Sequence, residues 1–262
     1  MIMGMDIDRL FDLTGKVAVV TGGGDGIGKG VCEILASAGA SVVVSNRTFE
    51  KANSVVSEIQ SRGGIASAVR CDVLSDEDLV SLVDTAVSTY GTINILVNNA
   101  GMGGAGREDP FKIDREYVER VYRMNVIAPW RLCQLAVPYM AASGYGSIVN
   151  ISSMSSVNKD PAMGIYASSK AALNHMSANL AYDFGQYGVR INCIGPGAIR
   201  THALAGVLTP EIEQHMLAHT PIRRLGEVSD IAGAVLYFAS PVSVWVSGQT
   251  LFVNGGGIQT LD

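Results

Sequence analysis

Charge is scarce in this 262-residue chain: only 16% of it is Asp, Glu, Lys or Arg, where a soluble domain usually carries ~25%. The 19 basic residues are outnumbered by 24 acidic ones and gather no further than the pair Arg223-Arg224. The phosphate-neutralising surface that dominates nucleic-acid affinity is therefore missing, and no nucleic-acid partner is expected. Cysteine is also sparse. Cys32, Cys71, Cys133 and Cys193 are scattered with no C-x-x-C pair, which argues against a disulfide framework and a zinc site and points to a reducing, cytoplasmic setting. No apolar run approaches the ~20 residues of a membrane-spanning helix, so no membrane partner is expected either. The first ten residues carry Asp6 and Asp8 and no apolar stretch, so neither a signal nor a transit peptide is expected.

What the chain does have is apolar bulk, 48% of its residues, together with 30 glycines. That is enough for a substantial core, with apolar surface left over for sister subunits to cover. Apolar, β-branched runs recur at Val17–Thr21, Ser41–Ser45, Ile65–Arg70, Ile93–Val97, Ser147–Ile151, Val189–Ile194 and Thr250–Val253. Continuous rather than alternating apolarity marks strands buried on both faces. Helical stretches fall between them at Gly26–Ser37, Ser75–Tyr90, Asp114–Met140 and Gly164–Tyr187, and Ser75 followed by Asp76, Glu77 and Asp78 reads as an N-cap with an acidic first turn. The pattern predicts an α/β fold of the Rossmann type, a doubly wound parallel sheet of seven strands with helices on both faces. No linker or repeat divides it, so residues 1–262 are expected to form a single dinucleotide-binding and catalytic domain. A less regular excursion from about Thr201 to Gly226 is expected at the rim of a site.

The first strand runs into Gly22-Gly23-Gly24-Asp25-Gly26-Ile27-Gly28 and then a helix pattern. A glycine turn at a strand's carboxyl end, feeding a helix N-terminus, presents backbone N–H groups to phosphate and suits a dinucleotide; the plainer alternative is a structural βα turn. Gly23-x4-Gly28-Lys29 also satisfies most of a P-loop, but Gly30 stands where the Mg²⁺-holding Ser or Thr would be, which argues against nucleotide hydrolysis. The second strand ends in Ser45-Asn46-Arg47. Asn46 does not repel a 2′-phosphate and Arg47 can pair with one, so NADP(H) is expected over NAD(H), with Asp25 as the opposing charge. His215 and His219 are four apart, but Met216 occupies the place of the glutamate in H-E-x-x-H; they read as rim histidines, and no metal is expected.

Further motifs follow in order: Asn98-Asn99-Ala100-Gly101 after the fourth strand, Ser153 after the fifth, Tyr166-Ala167-Ser168-Ser169-Lys170 in a helix and Pro196-Gly197 after the sixth. From about Leu13 to Gly257 the chain resembles the short-chain dehydrogenase/reductase family. The resemblance implies an NAD(P)-dependent alcohol dehydrogenase or ketoreductase with Asn125, Ser153, Tyr166 and Lys170 as its catalytic set. The chemistry agrees: Tyr166 and Lys170 share one helix face, and a nearby ammonium favours the phenolate, suiting Tyr166 to proton transfer at the substrate oxygen. Ser153 would orient and polarise that oxygen. By resemblance, Lys170 also contacts the nicotinamide ribose and Asn125 helps hold a relay water. For the cofactor, the resemblance implies Gly22, Ile27 and Gly28 at the pyrophosphate, Asp72 and Val73 at the adenine, Asn99 near the adenosine ribose, and Ile199, Arg200 and Thr201 near the nicotinamide amide.

Within the family the chain is similar to bacterial members that oxidise the 7α-hydroxyl of bile acids. The likeness rests on Ser152-Ser153-Met154 with Asn158-Lys159, on the segment around Tyr166, and on Thr209–Gln214 running into His219–Gly226. Gly103 and Asn158 match substrate-contacting positions there, alongside Ser153 and Tyr166. The expected substrate is thus a hydrophobic alcohol or ketone, a hydroxysteroid in the first place. The alternatives are another ketone, such as a 3-oxoacyl thioester or small carbonyl compound, and, from a different class, a non-catalytic dinucleotide-binding sensor. Family members also imply a homotetramer, with the region of Val242–Val246 and the last strand at the contact.

Overall fold

A computed structural model of the chain describes residues 6–103, 108–159, 161–206 and 208–257. Seven parallel strands form one sheet: β1 Val17–Thr21, β2 Ser41–Asn46, β3 Ile65–Arg70, β4 Ile95–Asn98, β5 Gly146–Ile151, β6 Val189–Pro196 and β7 Thr250–Val253. Their spatial order is β3-β2-β1-β4-β5-β6-β7. The chain winds outward from β1 one way and, after β4, the other way. Carboxyl ends of strands at such a reversal leave a crevice between them, and here the two ends are the glycine turn after β1 and Asn99 after β4.

The apolar runs are continuous because consecutive side chains feed two different cores. Ala18, Val20, Val42, Val44, Ile95 and Val97 point to one layer, which also holds Val31 and Leu35 of α2 (Gly26–Ser37), Val55 and Ile59 of α3 (Phe49–Ser61), and Ile231, Val235 and Phe238 of α10 (Val228–Ala239). Val19, Val43 and Leu96 point to the other, with Leu79, Leu82 and Val83 of α4 (Asp76–Tyr90) and Leu132, Ala136 and Met140 of α6 (Ala128–Ser143). Each fully buried Val, Leu or Ile contributes roughly 1.5–3 kcal/mol as an upper estimate. The expected cap of α4 is present: Asp78 N–H donates to Ser75 Oγ at 3.1 Å.

The other α-helices among the described residues are α1 (Ile7–Phe11), α5 (Arg115–Tyr122), α7 (Gly164–Gly185), α8 (His202–Ala205) and α9 (Pro210–Ala218). The stretch expected as one helix over Asp114–Met140 is instead two, joined by a π-turn at Arg123–Ile127. Pro129 is the physical reason. It has no N–H to return to the carbonyl four residues back, that of Asn125, so the regular ladder cannot pass through this turn. The rim expected between Thr201 and Gly226 carries the short helices α8 and α9. Within the described residues no helix is long and apolar enough to cross a membrane.

Candidate active site

The glycine turn is shaped by close approach. Gly22 and Gly26 have φ of +65° and +51°, the left-handed region that favours glycine. A Cβ on Gly28 would strike the Gly22 carbonyl oxygen and lie 2.5 Å from Asn99 Nδ2. Asn99 in turn stitches the turn to β4: its Nδ2 donates to the Thr21 and Gly22 carbonyls at 2.9 and 3.2 Å, and Asn99 and Ala100 N–H both donate to Thr21 Oγ1 at 3.0 and 3.1 Å. The result is a tight, glycine-walled entry to α2, whose first N–H group is met by the Asp25 carboxylate at 2.8 Å. Such a cradle fits the pyrophosphate of a dinucleotide.

Beside the turn, a cleft of about 300 Å³ is lined by Ile27, Asn99, Gly101, Met102, Gly103, Ile151, Ser152, Ser153, Tyr166, Lys170, Pro196, Gly197, Ile199 and Thr201. Sequence positions as far apart as Ile27 and Thr201 thus share one wall, and the expected Ser153, Tyr166 and Lys170 stand in it together. Ser153 caps a short 3-10 turn, its Oγ accepting from Ser155 N–H at 3.1 Å, which leaves its own O–H proton to donate. Lys170 is 4% exposed; its Nζ donates to the Ile151 carbonyl at 2.8 Å and stands 5.9 Å from the centre of the Tyr166 ring. Burial pushes its pKa down to about 8, partly opposed by the nearby Cys193.

Other expected residues take supporting places. Asn125 is fully buried and does not line the cleft. Its Oδ1 accepts from Met102 N–H at 3.0 Å, and its Nδ2 donates to the Met102 carbonyl at 2.8 Å and to Ser169 Oγ at 2.9 Å. The π-turn thus ties the cleft loop to α7. Asp72 and Val73 lie past the end of β3, away from the cleft; Asp72 Oδ1 accepts from Leu74 N–H at 3.0 Å and Val73 is buried. Arg200 turns to the rim, pairing with Glu213 at 3.2 Å and Glu227 at 3.3 Å, whereas Ile199 and Thr201 line the cleft. Asn158 lies outside the lining, its Nδ2 buried and without a hydrogen-bond partner among the described residues.

Sequence reasoning missed Glu108. This carboxylate is 4% exposed and accepts from Ile165 N–H at 2.7 Å, Tyr166 N–H at 3.1 Å and the Tyr117 hydroxyl at 2.8 Å. Its partners lie up to 58 residues away, so no local pattern announced it.

A glycine-rich turn at the sheet's reversal, facing a Ser, Tyr and Lys in one cleft, defines a dinucleotide-dependent alcohol dehydrogenase. The family model described as Enoyl-(Acyl carrier protein) reductase matches residues 22–257. The chain is 51% identical over 250 residues, 95% of its length and 97% of the relative's, to the 7α-hydroxysteroid dehydrogenase of Escherichia coli (strain K12). It is 37% identical over 245 residues to the enzyme of that name from Clostridium sardiniense, covering 93% of this chain and 94% of the relative. Among solved structures, 7α-hydroxysteroid dehydrogenase in complex with NADH and 7-oxo glycochenodeoxycholic acid superposes with a TM-score of 0.93 at 50% identity, covering 98% of this chain and 100% of that one. The chain belongs to the short-chain dehydrogenase/reductase family and is an oxidoreductase of the alcohol dehydrogenase type.

The NADH in that relative overturns the expectation of NADP(H). Asn46 Oδ1 is engaged by Thr48 N–H at 2.9 Å, and Arg47 is exposed. Asp25, in the glycine loop, is held by Lys51 Nζ at 3.1 Å; Lys51 Cβ and Asn46 Nδ2 lie within 2.8 Å of where a Gly24 Cβ would sit.

Proposed function

We propose that this chain is an NAD-dependent dehydrogenase that interconverts the 7α-hydroxyl and 7-ketone of a bile-acid-type steroid. The observation that carries the reading is the cleft shared by Ser153, Tyr166 and Lys170 in a chain 51% identical to a 7α-hydroxysteroid dehydrogenase across 95% of its length. In oxidation, the Ser153 hydroxyl donates to the substrate oxygen and holds it, and the Tyr166 phenolate takes its proton. Lys170, fixed on the Ile151 carbonyl, supplies the positive charge that favours the phenolate. Asn125 acts from behind, bracing Met102 and Ser169. A bound nicotinamide dinucleotide would supply the acceptor for the carbinol hydride. Gly22, Ile27, Gly28, Asn99, Ile199 and Thr201 would hold it, with Asp72 and Val73 toward the adenine end, and Gly103 and Asn158 on the steroid's side. A smaller carbonyl substrate or a sensor role has no comparable support, since a sensor needs no acid–base set.

The same reading treats the chain as one functional domain, with the rim from about Thr201 to Gly226 over the substrate. It extends to a homotetramer in the cytoplasm, supported by the 97% exposure of Trp245 and 43% of Trp130, large apolar surfaces that self-association would cover, and by four buried free thiols. The test is absorbance of reduced nicotinamide with NAD⁺ and a 7α-hydroxy bile acid against its 7β epimer. Turnover of the 7α compound alone is the expected result. No turnover with either epimer, alongside reduction of a small ketone, would end the steroid reading.

A further inference from the structure

The catalytic helix α7 begins without a local cap. Met163 precedes its first residue, Gly164, and makes no side-chain capping bond, although the first N–H groups of any helix lack intrahelical partners. Ile165 and Tyr166, the next two residues, instead donate to Glu108. Ile165 N–H reaches Oε2 at 2.7 Å, and Tyr166 N–H reaches Oε1 and Oε2 at 3.1 and 3.2 Å. Glu108 N–H donates to the Ala162 carbonyl at 2.9 Å, where Ala162 has φ of +53°, so the strained approach to the helix is tied to the same residue. The carboxylate also accepts from the Tyr117 hydroxyl of α5 at 2.8 Å.

A carboxylate removed from water is costly unless its oxygens are fully paired, and a Ser, Thr, Asp or Asn at position 163 would have capped the helix without that cost. The long-range cap does something a local one does not: it joins the helix to the cleft wall. A Cβ at Gly103, which has φ of +110°, would lie 3.2 Å from Tyr166 Cδ2 and 3.5 Å from the Tyr117 hydroxyl. The Tyr166 ring, the Tyr117–Glu108 pair and the Gly103 backbone therefore close on one point of the lining. Glu108 holds Tyr166 by its own backbone N–H, at the residue whose phenol does the chemistry.

We infer that Glu108 is a positioning residue for the reaction, its buried carboxylate fixing the first turn of α7 and with it the placement of the Tyr166 ring in the cleft. This rests on the reading of Tyr166 as the acid–base group. The experiment measures the single-turnover rate of NADH formation from NAD⁺ and a 7α-hydroxy bile acid, normalised to the number of NADH-binding sites titrated in each preparation. Glu108→Ala is expected to slow the per-site rate by about 10²-fold, the cost of misplacing a reacting group, and Glu108→Gln, which keeps one acceptor oxygen, to recover part of it. Tyr117→Phe retains the carboxylate and its backbone donors and is the variant to read if Glu108→Ala fails to fold; a per-site loss of about 3-fold is expected from it. A merely structural role would lower the number of binding sites and leave the rate at each site unchanged. Per-site rates within twofold of wild type in Glu108→Gln and Tyr117→Phe overturn the inference. Tyr166→Phe run in parallel separates the two claims. If it is inactive while the Glu108 variants are normal, only the positioning role fails; if it turns over normally, the acid–base reading fails and the positioning role with it.

Discussion

On the cofactor side of the cleft the wall is backbone: Gly22, Gly26 and Gly28 stand where a side chain would collide or strain, and Asn99 and Thr21 fasten the turn with hydrogen bonds of 2.9 to 3.2 Å. On the rim side it is side-chain charge. Arg200 pairs with Glu213 and Glu227, and Arg224 with Asp230 at 2.6 Å, all between roughly a third and a half exposed. Pairs at such exposure contribute about 0–1 kcal/mol each, whereas a misplaced Cβ in a close-packed turn is felt at once. One wall is thus specified atom by atom to hold an invariant ligand, and the other by several weak contacts that permit variation in what lies against it. The groups proposed to react stand between them, Tyr166 and Lys170 on α7 and Ser153 just past β5.

The largest effect is expected between the walls. Tyr166→Phe removes the proton-transfer group and should lower turnover by roughly 10²–10⁴-fold, with NADH binding, read by quenching of protein fluorescence, close to wild type. A parallel loss of NADH affinity would show that the phenol belongs to the cofactor wall, and the division drawn above would fail.

Lys170 probes the floor where both walls meet. Its pKa of about 8 in the folded protein lies below the ordinary 10.5, so between those values the unfolded chain binds more protons and stability rises with pH. Below pH 8 the penalty is fully present; above 10.5 it is gone. Compared with Lys170→Met, wild type should gain about 3 kcal/mol as pH rises from 7 to 10.5, measured by urea unfolding of both proteins across that range. A difference that stays flat with pH would mean that the ammonium is hydrated in place.

The cofactor wall is broken directly by Gly28→Ala. Overpacking against the Gly22 carbonyl and Asn99 should cost about 1–3 kcal/mol in stability and weaken NADH binding, while the steroid's apparent affinity at saturating cofactor changes little. Thermal unfolding and NADH titration read both.

These contrasts bear on what a sequence discloses. The seven strands and the glycine turn were legible because parallel strands buried on two faces write continuous apolar runs and because a turn that admits no side chain writes glycines. Tyr166 and Lys170 were legible through helical spacing and family resemblance. Three features lay outside such local patterns. The π-turn of Arg123–Ile127 had a signal in Pro129, but only to a reader asking which carbonyl that proline leaves unpaired. Glu108 caps a helix 57 residues downstream, and a contact of that range has no periodicity. The cofactor preference was misread from Asn46 and Arg47 at one strand end, two residues whose hydrogen bonding and exposure the sequence does not state.

The smallest effect is expected at the rim, and its smallness is the test. Asp230 accepts from Arg224 and from Glu227 N–H at 2.7 Å, and these hold its pKa at about 2. A carboxylate depressed below its unfolded value stabilises above about pH 4 and loses that contribution as pH falls toward 2. Solvent screens the pair, so Asp230→Asn should cost no more than about 1 kcal/mol at pH 7, with the difference from wild type vanishing near pH 2. NADH affinity should not move. The Michaelis constant for the steroid should shift by no more than a few-fold, because this pair joins the segment after the rim helices to α10 and the Arg200 pairs stay in place. A large loss of cofactor affinity in this variant would show the two walls to be mechanically one.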